Sequence, residues 1–144
     1  MKKVAALIFT LVTLSPFVLA ESKMKIQIET ANPDEQIIAI LADNPTARDF
    51  YNTLPLTLAL ENYAGVEKIG YNIPKLSTAS APRSYAGQKG DLTYYAPWGN
   101  LAIFTDKSNV GSASGLIYFG KIEQGLEQLR QLEDNAVVTI KVIK

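Results

Sequence analysis

The sequence predicts a mainly β, single-domain protein, closed as a barrel or packed as a sandwich, with two helices. About eight short strand-like runs, many of them alternating apolar and polar residues, recur between Met24 and Ile143. Only two segments carry a helical period, one after Asn44 and one after Ile122. The chain also contains no cysteine, so no disulfide can protect strand edges, and barrel closure would.

The first twenty residues have the layout of a secretory signal. Lys2 and Lys3 give a positive start, an apolar stretch runs from Val4 to about Leu14, and Val18-Leu19-Ala20 precede Glu21. A retained membrane anchor fits less well. The apolar run is short of the roughly 20 residues a spanning helix needs, and Thr10, Thr13, Ser15 and Pro16 interrupt it or follow it. Residues 1–20 are therefore expected to be removed, leaving a domain over 21–144 in the periplasm or secreted, with no stable membrane anchor. A lipid anchor on cysteine is excluded.

Met24-Lys25-Ile26-Gln27-Ile28-Glu29 alternates and reads as the first strand. Asn32-Pro33-Asp34 is a turn, and Gln36 to Leu41 makes the second strand of a hairpin. Asn44 then caps a helix that Pro45 can begin, since the first helical position needs no amide donor. Pro55 ends it, because the residue before proline avoids helical angles. Ala47, Phe50 and Leu54 share its buried face.

Leu56 to Glu61 alternates as a strand, and Val66 to Tyr71 is a weaker one after Gly65. Leu76 to Lys89 reads as a long loop, a length that compact domains keep for functional or mobile segments. Asp91 to Ala96 and Asn100 to Phe104 form a hairpin across Pro97-Trp98-Gly99. Ser108 to Gly115 is a polar loop. Leu116 to Ile122 is a strand running into a helix over Glu123–Glu133, striped by Leu126, Leu129 and Leu132, with Gly120 at the change of direction. Ala136 to Ile143 is the last strand.

Composition narrows the chemistry. With 14 basic and 14 acidic residues the chain is neutral. Loss of Lys2 and Lys3 would leave 12 basic residues against 14 acidic ones, and no basic stripe suggests nucleic acid. There is no histidine, which removes the common general base and zinc ligand. Neither a Ser-His-Asp nor a Cys-His system can be built. No ligand loop for a hard metal occurs, and no motif calls for a cofactor. Gly111-Ser112-Ala113-Ser114-Gly115 is too short for a phosphate loop.

Several residues invite a functional reading. Trp98, the only tryptophan, either offers a stacking face at a barrel mouth or closes a barrel end, and the second role is the simpler. Tyr94, Tyr95, Phe104, Tyr118 and Phe119 lie on expected strands, and adjacent members must point to opposite faces; most should be core. Arg83 lies outside both helices, between Pro82 and Tyr85, and could grip a carbonyl or carboxylate, although a solvated loop charge is simpler. Asp91 after Gly90 suits a turn.

The segment Phe119-Gly120-Lys121-Ile122 followed by Gly125-Leu126 resembles the one that closes the barrel in cyclophilins. Gly90-Asp91, Tyr95 through Phe104, and Ser114 through Ile122 look like the small bacterial cyclophilin-like proteins, as do Asp43 through Phe50 and Leu54 through Leu58. The resemblance spans nearly all of Met24 to Ile143 and implies an eight-stranded barrel capped by helices. The Phe-His-Arg and Gln-Gly-Gly-Asp segments of true cyclophilins are absent, as are the tryptophan and histidine usually found before Phe-Gly-Lys. No catalytic residue transfers by motif.

A familiar barrel without its catalytic set suggests a binding module. It would hold a small molecule or an extended peptide in a groove lined by some of Arg83, Tyr95, Trp98, Asn100 and Phe104. The alternative is a divergent peptidyl-prolyl isomerase that uses Arg83 or backbone groups instead.

Overall fold

The structure is a computed structural model, and it describes residues 2–19 and 22–144. Residues 2–19 form no helix or strand and are exposed along their length. Ala20 and Glu21, which flank the expected cleavage point, lie outside the described residues. Among the described residues no helix is long and apolar enough to cross a membrane.

Eight strands close into a barrel: β1 (Lys25–Glu29), β2 (Ile37–Leu41), β3 (Leu56–Tyr63), β4 (Glu67–Gly70), β6 (Asp91–Tyr95), β7 (Asn100–Phe104), β9 (Leu116–Gln124) and β10 (Ala136–Val142). Two more strands, β5 (Ser84–Ala86) and β8 (Ser112–Ser114), and the helices α1 (Pro45–Thr53) and α2 (Leu126–Gln131) complete the chain. The barrel order is β1-β10-β3-β4-β7-β6-β9-β2, so the sandwich is set aside. Every neighbouring pair is antiparallel. All eight barrel strands fall on segments expected as strands from the sequence.

The barrel is filled from the inside. Ile26, Ile28, Ile37, Leu60, Leu101, Ile103 and Phe119 are wholly buried in one cluster. Helix α1 follows the end of β2, and α2 follows the end of β9. These strands are antiparallel neighbours, so the helices leave from opposite ends. Asn44 fixes the start of α1: its Oδ1 accepts from the Ala47 amide at 2.8 Å, while its Nδ2 donates to the Tyr118 carbonyl at 3.0 Å. Phe50 then drops onto Phe119, with ring centroids 4.9 Å apart.

Helix α2 is shorter than the leucine stripe suggests. Strand β9 continues to Gln124 because those residues still pair with β2. The break falls at Gly125 rather than Gly120. Gly125 has φ of 85°, and a Cβ there would lie 2.4 Å from the Gln36 carbonyl oxygen, so glycine is required on both counts. Of the three leucines only Leu129 is fully buried. The end of α2 receives a bond that no sequence pattern announces: the buried Lys68 points inward and donates from Nζ to the Leu132 carbonyl at 2.6 Å and also to Asn62.

The two segments expected as loops are partly ordered against each other. Strand β5, within the 76–89 stretch, pairs with β8, within 108–115, as a two-stranded ribbon outside the barrel. Asp91 anchors its base. Its Oδ2 accepts from the Tyr85 hydroxyl at 2.6 Å and the Gln88 amide at 2.8 Å, and Lys121 Nζ stands 3.5 Å from Oδ1.

Candidate functional site

On most of the barrel the outward residues are solvated. Along β3, Thr57, Ala59 and Glu61 are exposed between Leu58 and Leu60, which are buried. Strand β7 breaks this rule, since all five of its residues are buried. Leu101 and Ile103 face the core. By alternation Asn100, Ala102 and Phe104 face outward, where the ribbon and the 105–115 segment cover them. The approach is close: a Cβ on Gly87 would lie 2.4 Å from the Phe104 ring.

The cover leaves a cleft of about 190 Å³ over β7. Its floor is Ile69, Ala102, Phe104 and Leu116, and its far wall comes from Ser108, Val110 and Ala113. Tyr63, Tyr95 and Trp98 form an aromatic flank. Trp98 meets Tyr95 edge-on with centroids 5.3 Å apart and Tyr63 at 6.3 Å, perpendicular. Trp98 is 56 % exposed. It therefore stands on the rim of the cleft.

Two polar side chains lining the cleft have needs the protein does not meet. Asn100 is 1 % exposed; its Nδ2 donates to the Leu101 carbonyl at 3.2 Å, while its buried Oδ1 has no partner. Exchanging the amide's O and N would set two oxygens together, so the free atom is the acceptor. Leaving such a group unpaired costs about 1–3 kcal/mol. Glu67 is half-buried beside Tyr63 and Phe104, its partners in the sheet register. It makes no ion pair among the described residues, and burial pushes its carboxyl above the usual carboxylate value.

A second cleft, of about 230 Å³, adjoins the first and shares Leu116 with it. Asn44, Thr46, Pro82, Tyr85 and Tyr118 line it. Tyr85 and Tyr118 pack with centroids 5.7 Å apart. The Tyr85 hydroxyl is held well above its ordinary pKa, first by burial and then by its bond to Asp91 and that residue's charge, so it stays a proton donor.

The structure brings Tyr95, Trp98, Asn100 and Phe104 together in the first cleft. Arg83 is apart from them. It is exposed, lines neither cleft, and contributes only its carbonyl, which accepts from the Gly115 amide at 2.9 Å. Adjacent aromatics divide as strand geometry requires: Tyr94 and Phe119 enter the core, while Tyr95 and Tyr118 line the clefts. Tyr63, which no sequence signal marks, and Glu67, which sequence spacing pairs with neither Glu61 nor any other group, complete the site. Among the described residues, no group of three or more acidic side chains is placed to hold a metal ion.

A family model described as the cyclophilin-like family matches residues 30–141. The chain belongs to that family. Among solved structures it is similar to the solution structure of a hypothetical protein from Archaeoglobus fulgidus, with a TM-score of 0.60 and 19% identity, covering 84% of this chain and 95% of that one. At that identity the likeness concerns the fold alone. No curated protein matches the chain.

Proposed function

We propose that this cyclophilin-like barrel is an exported binding module that holds a small molecule or an extended peptide in the cleft over β7. The observation that carries the reading is the unpartnered, buried Oδ1 of Asn100 on the wall of a largely apolar, aromatic-flanked cleft. An acceptor left unpaired in the empty protein is the kind of cost a ligand donor can relieve. The cleft is smaller than the roughly 300–1,000 Å³ of drug-sized sites, which suits a small ligand or one side chain of a longer one. The adjoining cleft across Leu116 gives an extended peptide a second place to rest.

Export rests on the N-terminal segment. Lys2 and Lys3 precede an apolar run that stays exposed and joins no part of the core, as a removable leader would. Intact-mass analysis of the protein expressed in a bacterium should find a mature chain beginning at Glu21, outside the cytoplasm. A product that keeps Met1 in the inner membrane would overturn this part.

The alternative is a divergent proline isomerase, which would need a cation or donor acting on the bound peptide bond. Arg83 lines neither cleft, so the binding reading is the better supported. Exchange spectroscopy on a proline peptide separates the two. A binder perturbs peptide shifts or Trp98 fluorescence without accelerating cis/trans exchange, whose uncatalysed barrier is about 18–20 kcal/mol. Strong acceleration would reverse the ranking.

A further inference from the structure

The polar groups of the cleft say more than that it binds. Glu67 and the free Oδ1 of Asn100 are both acceptors, and no lysine or arginine lines the site. An anionic ligand would bring charge of the same sign to Glu67 and find no cation to offset it. A neutral apolar ligand would bury Glu67 further and leave Asn100 unpaired, adding to costs already present. A ligand that carries positive charge and N–H donors relieves both.

The spacing defines its shape. Glu67 pairs with Phe104 in the sheet register, and Asn100 lies four residues away on the same face of β7, about 13 Å of strand. No hydrogen bond joins the two side chains. Between them the floor is apolar, made by Ala102 and its register partner Ile69. The aromatic flank of Tyr63, Trp98 and Tyr95 adds ring faces, which attract cations and pack against methylenes.

Resting on the reading of this cleft as a binding site, we propose that it selects an alkylammonium group, seated at Glu67, on an apolar chain whose far end presents a second N–H donor to Asn100. Two sources share this chemistry. One is a free diamine. The other is a lysine residue of a peptide, whose side chain separates an ammonium group from main-chain amides.

The test uses the sole tryptophan, Trp98, as reporter. The mature domain is titrated with diaminopentane and with acetyl-lysine methylamide. Their counterparts without the charge, pentanediol and acetyl-norleucine methylamide, are titrated in parallel, and pentylamine supplies the charge without the distal donor. The charged ligands should bind at least about tenfold more tightly than their neutral counterparts, a typical ratio for a charge-assisted hydrogen bond, and pentylamine should fall between. Glu67→Gln should remove the preference for charge; thermal unfolding of the variant confirms that it is folded. Whichever of diaminopentane and the lysine derivative binds more tightly identifies the source.

Equal binding of charged and neutral ligands would overturn the cation assignment and leave the binding site standing. So would a charge preference that survives Glu67→Gln. Silence of Trp98 and of the cleft amides towards all five compounds would overturn both the assignment and the site.

Discussion

The two faces of β7 are both buried, but for different reasons. Leu101 and Ile103 on the inner face lie in a continuous core with Leu60, Leu92 and Phe119. They fill the barrel as close-packed apolar side chains should. Asn100, Ala102 and Phe104 on the outer face are as thoroughly buried, yet their cover is a two-stranded ribbon three residues long and a polar loop. The inner face has its polar groups satisfied, whereas the outer face holds the unpaired Oδ1 of Asn100 and the uncompensated Glu67 nearby. One face is organised for stability. The other carries unmet polar needs at the wall of a cleft, the arrangement expected where a ligand completes the structure.

The largest effect should come from the inner face. Phe119→Ala removes a wholly buried ring that Phe50 packs against and should destabilise the domain by about 3–5 kcal/mol in urea unfolding. Phe104→Ala should cost clearly less, because the overlying ribbon can settle into the space. Equal losses would erase the distinction between the faces.

Gly87→Ala comes next. The added methyl would lie 2.4 Å from the Phe104 ring, so the ribbon must lift, at about 1–3 kcal/mol. Hydrogen exchange should quicken at the amides of β5 and β8 while β9 stays among the slowest. Loss of protection across the whole barrel would mean that the ribbon is integral to the core.

The affinity for diaminopentane should depend on pH with a definite sign. Glu67 binds a cation only when ionised, and its pKa lies above the usual carboxylate value because of burial. Affinity should therefore fall as pH is lowered through that raised value, and should stay flat for Glu67→Gln. The other ionisable groups lining the cleft are the phenols of Tyr63 and Tyr95.

The smallest effect is on stability. Because burial raises the folded-state pKa of Glu67, the folded protein binds more protons than the unfolded chain between the ordinary and the raised value. Stability contributed by this group is thus lost as pH rises through that window. Glu67→Gln should make the empty protein more stable at neutral pH by about 0.5 kcal/mol or less, and should leave it unchanged well below the ordinary carboxylate value. A less stable variant would show that Glu67 has a structural partner.

The barrel was legible because alternation, caps and turns are local signals. Asn44-Pro45, Pro97-Trp98-Gly99 and the outward Tyr95 beside the inward Tyr94 each declare themselves within a few residues. The end of β9 was not legible, because the position of Gly125 is set by contact with Gln36, far away in sequence. The ribbon was missed for a similar reason: Ser84–Ala86 and Ser112–Ser114 are short and polar, and gain strand structure only by pairing with each other. Tyr63 and Glu67 reach the cleft through register, which no single strand reveals. One available clue was Asn100-Leu101-Ala102-Ile103-Phe104 itself, whose apolar residues do not alternate, as expected of a strand covered on both faces.

The central claim is that the outer face of β7 is a ligand site, and shift mapping tests it most directly. A proton–nitrogen correlation spectrum of the barrel domain would be followed on addition of the diamine and the capped lysine and proline peptides. The account predicts that binding moves the amides of Tyr63, Glu67, Trp98, Asn100, Ala102 and Val110, and leaves those of β1, β2 and β10 in place. Shifts centred elsewhere, or no shift with any ligand at millimolar concentration, would contradict it.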